Sequence, residues 1–148
     1  MRVVIQRCKN ASCTVDGKIT GQIEKGFLCF VGFENNDTIN EVNLLVRKTQ
    51  GLRIFEDEAG KMNKALKDVN GEILAISQFT LYADCKHGNR PSFTNAMEFN
   101  KANELYLEYC KALRNQGIKV EQGVFGADMK ISLLNDGPVT IILDSKEL

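Results

Sequence analysis

The run Gly26-Phe27-Leu28-Cys29-Phe30-Val31-Gly32-Phe33 constrains this chain more than any other segment. It carries no polar side chain, and it is too short to read as an amphipathic helix. A strand buried on both faces accommodates it. The surrounding sequence supplies candidate neighbours. Residues 2–8 are rich in β-branched side chains and read as a strand. Val15-Asp16-Gly17-Lys18-Ile19 sets Asp-Gly between alternating residues, a strong hairpin signal.

Further along, Arg53-Ile54-Phe55 reads as a short strand and residues 56–71 as a polar loop. Residues 72–82 read as a central strand, 83–93 as a polar loop, and 118–121, 128–135 and 139–143 as strands. The turn residues Asn135-Asp136-Gly137-Pro138 separate the last two. Thr38-Ile39-Asn40-Glu41 is a capping box, followed by Ile39, Val42, Leu45 and Val46 on one helical face as far as Thr49. A second helix is predicted from Thr94 or Asn95. It buries Phe99, Ala102, Leu105, Tyr106, Tyr109, Cys110 and Leu113, and stops at Gly117. The pattern predicts a single α/β domain over residues 1–148. Its mixed, mostly antiparallel sheet curls toward a barrel, with two main helices packed outside.

A chain of 148 residues buries enough surface to hold a core without disulfides or a metal. Its five cysteines are odd in number and form no CxxC. Cys8, Cys29 and Cys110 sit in apolar runs, which suits small buried hydrophobes in a reducing compartment. Met1 to Arg7 lacks an apolar signal segment, and no apolar stretch approaches the ~18 residues of a membrane span. A cytoplasmic protein is expected. Acidic and basic residues balance at zero net charge, so any contact with nucleic acid must come from a local patch.

The usual catalytic inventory is thin. The one histidine, His87, lies in a polar loop, which excludes a His-His metal site within the chain. No GxSxG, P-loop or GxGxxG occurs, and no carboxylates pair obviously for acid–base work. Two segments remain. Ser77-Gln78-Phe79-Thr80-Leu81 puts polar residues at the end of an apolar strand. That fits a half-exposed strand, or a strand end offering hydroxyls, an amide and backbone N–H groups to a ligand. Asn135-Asp136-Gly137-Pro138-Val139-Thr140 reads as a hairpin turn. It also contains a dipeptide where the cis form costs only about 0.5–1 kcal/mol. Carbonyls there, with no competing proline N–H, suit an ammonium group.

Together, in this order, the two segments resemble the motif pair of the D-aminoacyl-tRNA deacylases. The likeness extends to Met1-Arg2-Val3-Val4-Ile5-Gln6-Arg7, Val69 to Leu74, Gly88 to Phe93, and Gly123 to Met129. The resemblance implies an editing hydrolase that cleaves the ester between a D-amino acid, or mischarged glycine, and the 3′-terminal adenosine of tRNA. It implies a homodimer, no cofactor and no metal. Gly137-Pro138, in the cis form, would project into the partner's site. Its main-chain oxygens would hold the substrate ammonium and exclude an L side chain.

On the same resemblance, the backbone N–H groups of Phe79 and Thr80 are the oxyanion donors. The Thr80 hydroxyl as nucleophile is the weaker reading, because a threonine needs an adjacent base. Ser77 and Gln78 would hold the terminal adenosine or ribose, and Met129 would pack on the adenine. Arg7 would hydrogen-bond the Gly137 and Pro138 carbonyls, with Asn135, Val139 and Thr140 in support. Independently of the resemblance, charge makes Lys86 and Arg90, in the loop after the first motif, the candidate tRNA contacts. The tRNA's own 2′-hydroxyl would assist the chemistry. Competing readings are a sibling editing domain of the same fold and a non-catalytic RNA-binding module.

Overall fold

In the computed structural model, which describes residues 1–148, one long strand organises the sheet. β1 (Arg2–Val15) turns Val3, Ile5, Ala11 and Cys13 inward. β2 (Lys18–Ile23) returns antiparallel along its second half, through a turn in which Asp16 and Gly17 both take positive φ. Two such residues in succession match the right-handed twist of a tight hairpin, which is why Asp-Gly stands there. β3 (Gly26–Gly32) occupies the rest of the same edge, pairing antiparallel with Arg2 to Cys8. It is buried at every position except the partly covered Phe30, as its composition demands.

α1 (Ile39–Gly51) starts at Thr38. The Thr38 side chain accepts from Asn40 N, and the Glu41 carboxylate accepts from Thr38 N, which completes the capping box. It buries Val42, Leu45, Val46 and Thr49, whereas Ile39 is exposed. Within the segment read as loop, β4 (Phe55–Glu56) and β5 (Met62–Lys64) form a small hairpin. β6 (Glu72–Ser77) lies parallel to β3. α2 (Phe99–Asn115) then crosses to β7 (Val120–Gln122), parallel to β6. β8 (Lys130–Asp144) runs antiparallel along the remaining edge of β1, from Arg2 opposite Asp144 to Thr14 opposite Lys130.

The sheet order is β2-β1-β3-β6-β7, with β8 on β1. The sheet curls until β2 meets β7: a Cβ on Gly21 would stand 2.5 Å from the Gln122 carbonyl oxygen, so only glycine fits this seam. The main core fills the space between sheet and helices. A smaller one, including Cys8, Cys13, Leu28 and Ile76, fills the inside of the curl. Thr49 Oγ1 and Tyr109 Oη meet at 2.9 Å between the helices, and Tyr106 Oη donates to the Ala75 carbonyl at 2.7 Å. Four cysteines are buried and Cys85 is exposed. No helix is long and apolar enough to cross a membrane.

Besides the hairpin in the segment read as loop, whose first strand is Phe55–Glu56 and not Arg53 to Phe55, three elements differ from the sequence reading. The strand expected over 72–82 stops at Ser77, because β3 ends and offers no further partner after Gln78 N donates to the Val31 carbonyl. Phe79–Tyr82 then forms a single 3-10 turn. α2 begins at Phe99, after the upstream residues are drawn into other bonds: Asn35 binds the Thr94 and Asn95 carbonyls, and Met97 N donates to Phe33 O. The cap is the Glu98 carboxylate, which accepts from Asn100 N and Lys101 N. Finally, Asn135 to Pro138 does not separate two strands. β8 is continuous, because both of its halves pair with the same long β1.

Candidate functional site

β6 ends at the mouth of a cleft of about 580 Å³. Ser77, Gln78 and Phe79 form one wall. The segment from Phe125 to Met129 forms another, and Phe93 and Phe99 stand at the rim. The lining is mostly apolar, and Asp128 is its only acid. Such a surface excludes water from whatever group it binds and strengthens the few polar groups that face it.

Ser77, Gln78 and Asp128 supply polar side chains to the lining, and the 3-10 turn that follows Gln78 begins at the same wall. Its first internal hydrogen bond runs from Leu81 N to the Gln78 carbonyl. The N–H groups of Phe79 and Thr80 precede that bond, and the opening N–H groups of a helical turn have no acceptor within it. Gly32 makes this placement possible. A Cβ there would stand 2.9 Å from the Gln78 carbonyl oxygen and 3.1 Å from Leu81 Cβ, so a side chain would push the turn off β3. Thr80 Oγ1 accepts a short hydrogen bond from Gln78 Nε2. Its bonded neighbour is thus an amide donor, which cannot take the hydroxyl proton. His87 lies exposed in the following loop. The buried thiols are no better as nucleophiles, since burial pushes Cys8 up to about 11 and Cys110 up to about 12.

A second cluster lies on β1 and β8. Between the pairs Gln6–Thr140 and Cys8–Asn135, β1 spends only Arg7 while β8 spends Asp136 to Val139. The surplus bulges outward, leaving Gly137 and Pro138 exposed, with a cis bond between them. Asn135 straps the base of the bulge: Oδ1 accepts from Val139 N at 2.8 Å, and Nδ2 donates to the Val139 carbonyl at 3.2 Å. Thr140 Oγ1 accepts from Gln6 Nε2 at 3.2 Å. Arg7 is buried beneath. Its Nε donates to the Asp136 carbonyl at 2.8 Å and its Nη1 to the Ile54 carbonyl at 2.6 Å. The expected bonds to the Gly137 and Pro138 carbonyls are thus replaced by one to the residue before them.

Ser77, Gln78, Phe79 and Met129 therefore meet in one cleft, with Thr80 beside it. Gly137 and Pro138 are not among that cleft's walls. Lys86 lines a separate cleft with Arg2, Tyr82 and Lys146, and Arg90 is exposed in its loop. The sequence reading missed Gly32 and the aromatic walls. Phe99 and Phe125 pack edge to face with centroids 4.9 Å apart, as do Phe79 and Phe93. Helical spacing had placed Phe99 in the core; no pattern in the sequence pointed to the others as partners.

The model of the D-Tyr-tRNA(Tyr) deacylase family matches residues 4–144. The D-aminoacyl-tRNA deacylase of Exiguobacterium sibiricum is 56% identical over 144 residues, covering 97% of this chain and 99% of that protein. That of Clostridium novyi is 52% identical over 147 residues, covering 99% of each. Among solved structures, the c-Myc DNA unwinding element binding protein superposes with a TM-score of 0.90 at 40% identity, covering 97% of this chain and 98% of its own. A probable eukaryotic D-amino acid tRNA deacylase shares the fold, with a TM-score of 0.84 at 17% identity over 96% of this chain. A curled α/β domain with this cleft and these likenesses is an ester hydrolase of the deacylase class. The chain belongs to the D-Tyr-tRNA(Tyr) deacylase family.

Proposed function

We propose that this chain hydrolyses the ester joining a D-amino acid, or mischarged glycine, to the 3′-terminal adenosine of tRNA, working as a cytoplasmic homodimer. The observation that carries the reading is the pair of N–H groups opening the turn at Phe79 and Thr80, set at the mouth of an apolar cleft beside a hydroxyl with no base. An aminoacyl ester next to a ribose 2′-hydroxyl is already reactive. Three to four decades of acceleration require only about 4–6 kcal/mol, and one oxyanion donor supplies about 2.7–4 kcal/mol. Positioning the ester is therefore most of the task, and the 2′-hydroxyl assists the reaction. Ser77 and Gln78 hold the ribose, and Met129 packs against the adenine.

Gly137 and Pro138 are exposed and do not line the cleft of their own chain. A second copy brings them over the ester. Their carbonyls then take the α-ammonium, and an L side chain would collide with the backbone there. Leu134 and Ile142 are exposed on the same strand at 54% and 65%, an apolar surface suited to that second copy. Lys86 and Arg90 contact the tRNA backbone. The test compares hydrolysis of D-tyrosyl-tRNA with L-tyrosyl-tRNA, alongside sedimentation. Selective D hydrolysis by a dimer is expected. Equal hydrolysis of both, or full activity in a stable monomer, would refute the reading.

A further inference from the structure

The cleft has two aromatic pairs, and the reading above uses neither ring of the pair formed by Phe79 and Phe93. Phe99 and Phe125 lie near Met129, where the terminal adenine is placed. Phe79 and Phe93 form a separate pair in the lining of the same cleft. Their centroids are 4.9 Å apart at an interplanar angle of 69°, and the side chains remain 56% and 37% exposed. Edge-to-face packing leaves ring faces uncovered, and an uncovered aromatic face beside a nucleotide cleft is a stacking platform that accepts any base.

The pair is held in place. Asp84 and Ser92 exchange two backbone hydrogen bonds, at 2.8 and 2.9 Å, which close the loop that ends at Phe93. Ala96 N donates to the Phe93 carbonyl at 3.0 Å, fixing the turn that follows. The closed loop displays Lys86 and Arg90, both exposed. Its one acid, Asp84, is partly occupied in accepting from Lys86 N at 2.9 Å. One closed loop thus carries an aromatic surface suited to a base and two cations suited to phosphates.

We infer that Phe93, packed on Phe79, forms a stacking subsite for the penultimate nucleotide of the tRNA 3′ end. The inference rests on the reading that the cleft takes the terminal adenosine. It makes the enzyme a reader of at least two 3′ nucleotides, with a base-tolerant outer step that hydrogen bonding does not specify.

Three non-hydrolysable ligands test it. The first is adenosine carrying D-tyrosine through a 3′-amide. The second extends it at the 5′ side with cytidine, and the third extends it with an abasic ribose through the same phosphate. Binding is measured at one salt concentration. The cytidine ligand is expected to bind about fivefold or more tightly than the abasic one, the increment of one stacked base. Phe93→Ala should remove that increment. Phe93→Leu keeps packing against Phe79 without a π face and should remove it too. Because Phe93 lines the same cleft, the increment is read within each variant as the ratio of cytidine to abasic binding, with the adenosine ligand as the common reference. Equal binding of the cytidine and abasic ligands, or an increment that survives in Phe93→Leu, overturns the inference. D-tyrosyl-tRNA hydrolysis is assayed separately. A chain that shows the increment without hydrolysis refutes the proposed function and supports the subsite; hydrolysis without the increment does the reverse.

Discussion

Arg7 Nε donates to the Asp136 carbonyl at 2.8 Å, so a buried guanidinium on β1 holds the shoulder of the bulge that β8 raises opposite it. The same group reaches Ile54, joining the bulge to the segment after α1. Arg7→Ala would strip both carbonyls of their donor. An unsatisfied buried polar group costs about 1–3 kcal/mol, so a loss of about 2–4 kcal/mol in urea unfolding is expected. Arg7→Lys should recover only part, because an ammonium lacks the planar fork that spans two acceptors. An unfolding midpoint unchanged in Arg7→Ala would show that the bulge is held by Asn135 alone.

Gly32→Ala should separate stability from activity. The added methyl meets the Gln78 carbonyl and Leu81, the base of the turn that carries the Phe79 and Thr80 N–H groups. A displacement of about 1 Å at a reacting centre costs up to about 100-fold. A fall in kcat of about tenfold or more is expected, with secondary structure intact by circular dichroism. Wild-type kcat in a folded Gly32→Ala protein would remove those N–H groups from the mechanism.

Thr80→Val distinguishes protein chemistry from RNA chemistry. Backbone N–H groups survive a side-chain change, and no base is bonded to the hydroxyl. The variant should retain much of its single-turnover rate, whereas substrate with a 2′-deoxy terminal adenosine should be turned over poorly. Normal binding with no hydrolysis above the spontaneous rate in Thr80→Val would make the hydroxyl the nucleophile.

Acid should weaken the start of α2. Backbone N–H bonds from Asn100 and Lys101 hold the Glu98 carboxyl below the usual carboxylate range. A group whose folded pKa is depressed contributes stability above its unfolded value, about 4.3 for glutamate. That contribution is lost as pH falls through the lower folded value. Thermal melts from neutral to acid pH should show Glu98→Gln less stable than wild type at neutral pH, with the gap closing in acid. A gap independent of pH would contradict the assignment.

The parts of this fold legible in the sequence are those whose cause is local. The unbroken apolar run of β3, the Asp16-Gly17 turn and the Thr38–Glu41 box each draw on residues within a few positions. The Ser77 to Leu81 segment was equally legible as an unusual strand end, because polar residues interrupt an apolar run. Its conformation was not: the turn begins where β3 runs out of partners, and it sits close because Gly32, on that distant strand, has no side chain.

The second motif shows the same division. Asn135 to Thr140 carries every local mark of a hairpin turn, and turn chemistry alone gives no reason to doubt it. What makes it a bulge is β1, long enough to pair with the chain on both sides of the interruption and to place Arg7 beneath it. The sequence by itself determined which residues prefer strand, helix or turn, since those preferences arise from each residue's own backbone and nearest neighbours. Only the tertiary structure decided where strands end, which carbonyl a buried arginine satisfies, and which aromatics share a cleft. Those outcomes depend on hydrogen-bond partners and packing surfaces that distant segments bring into reach only when the sheet curls.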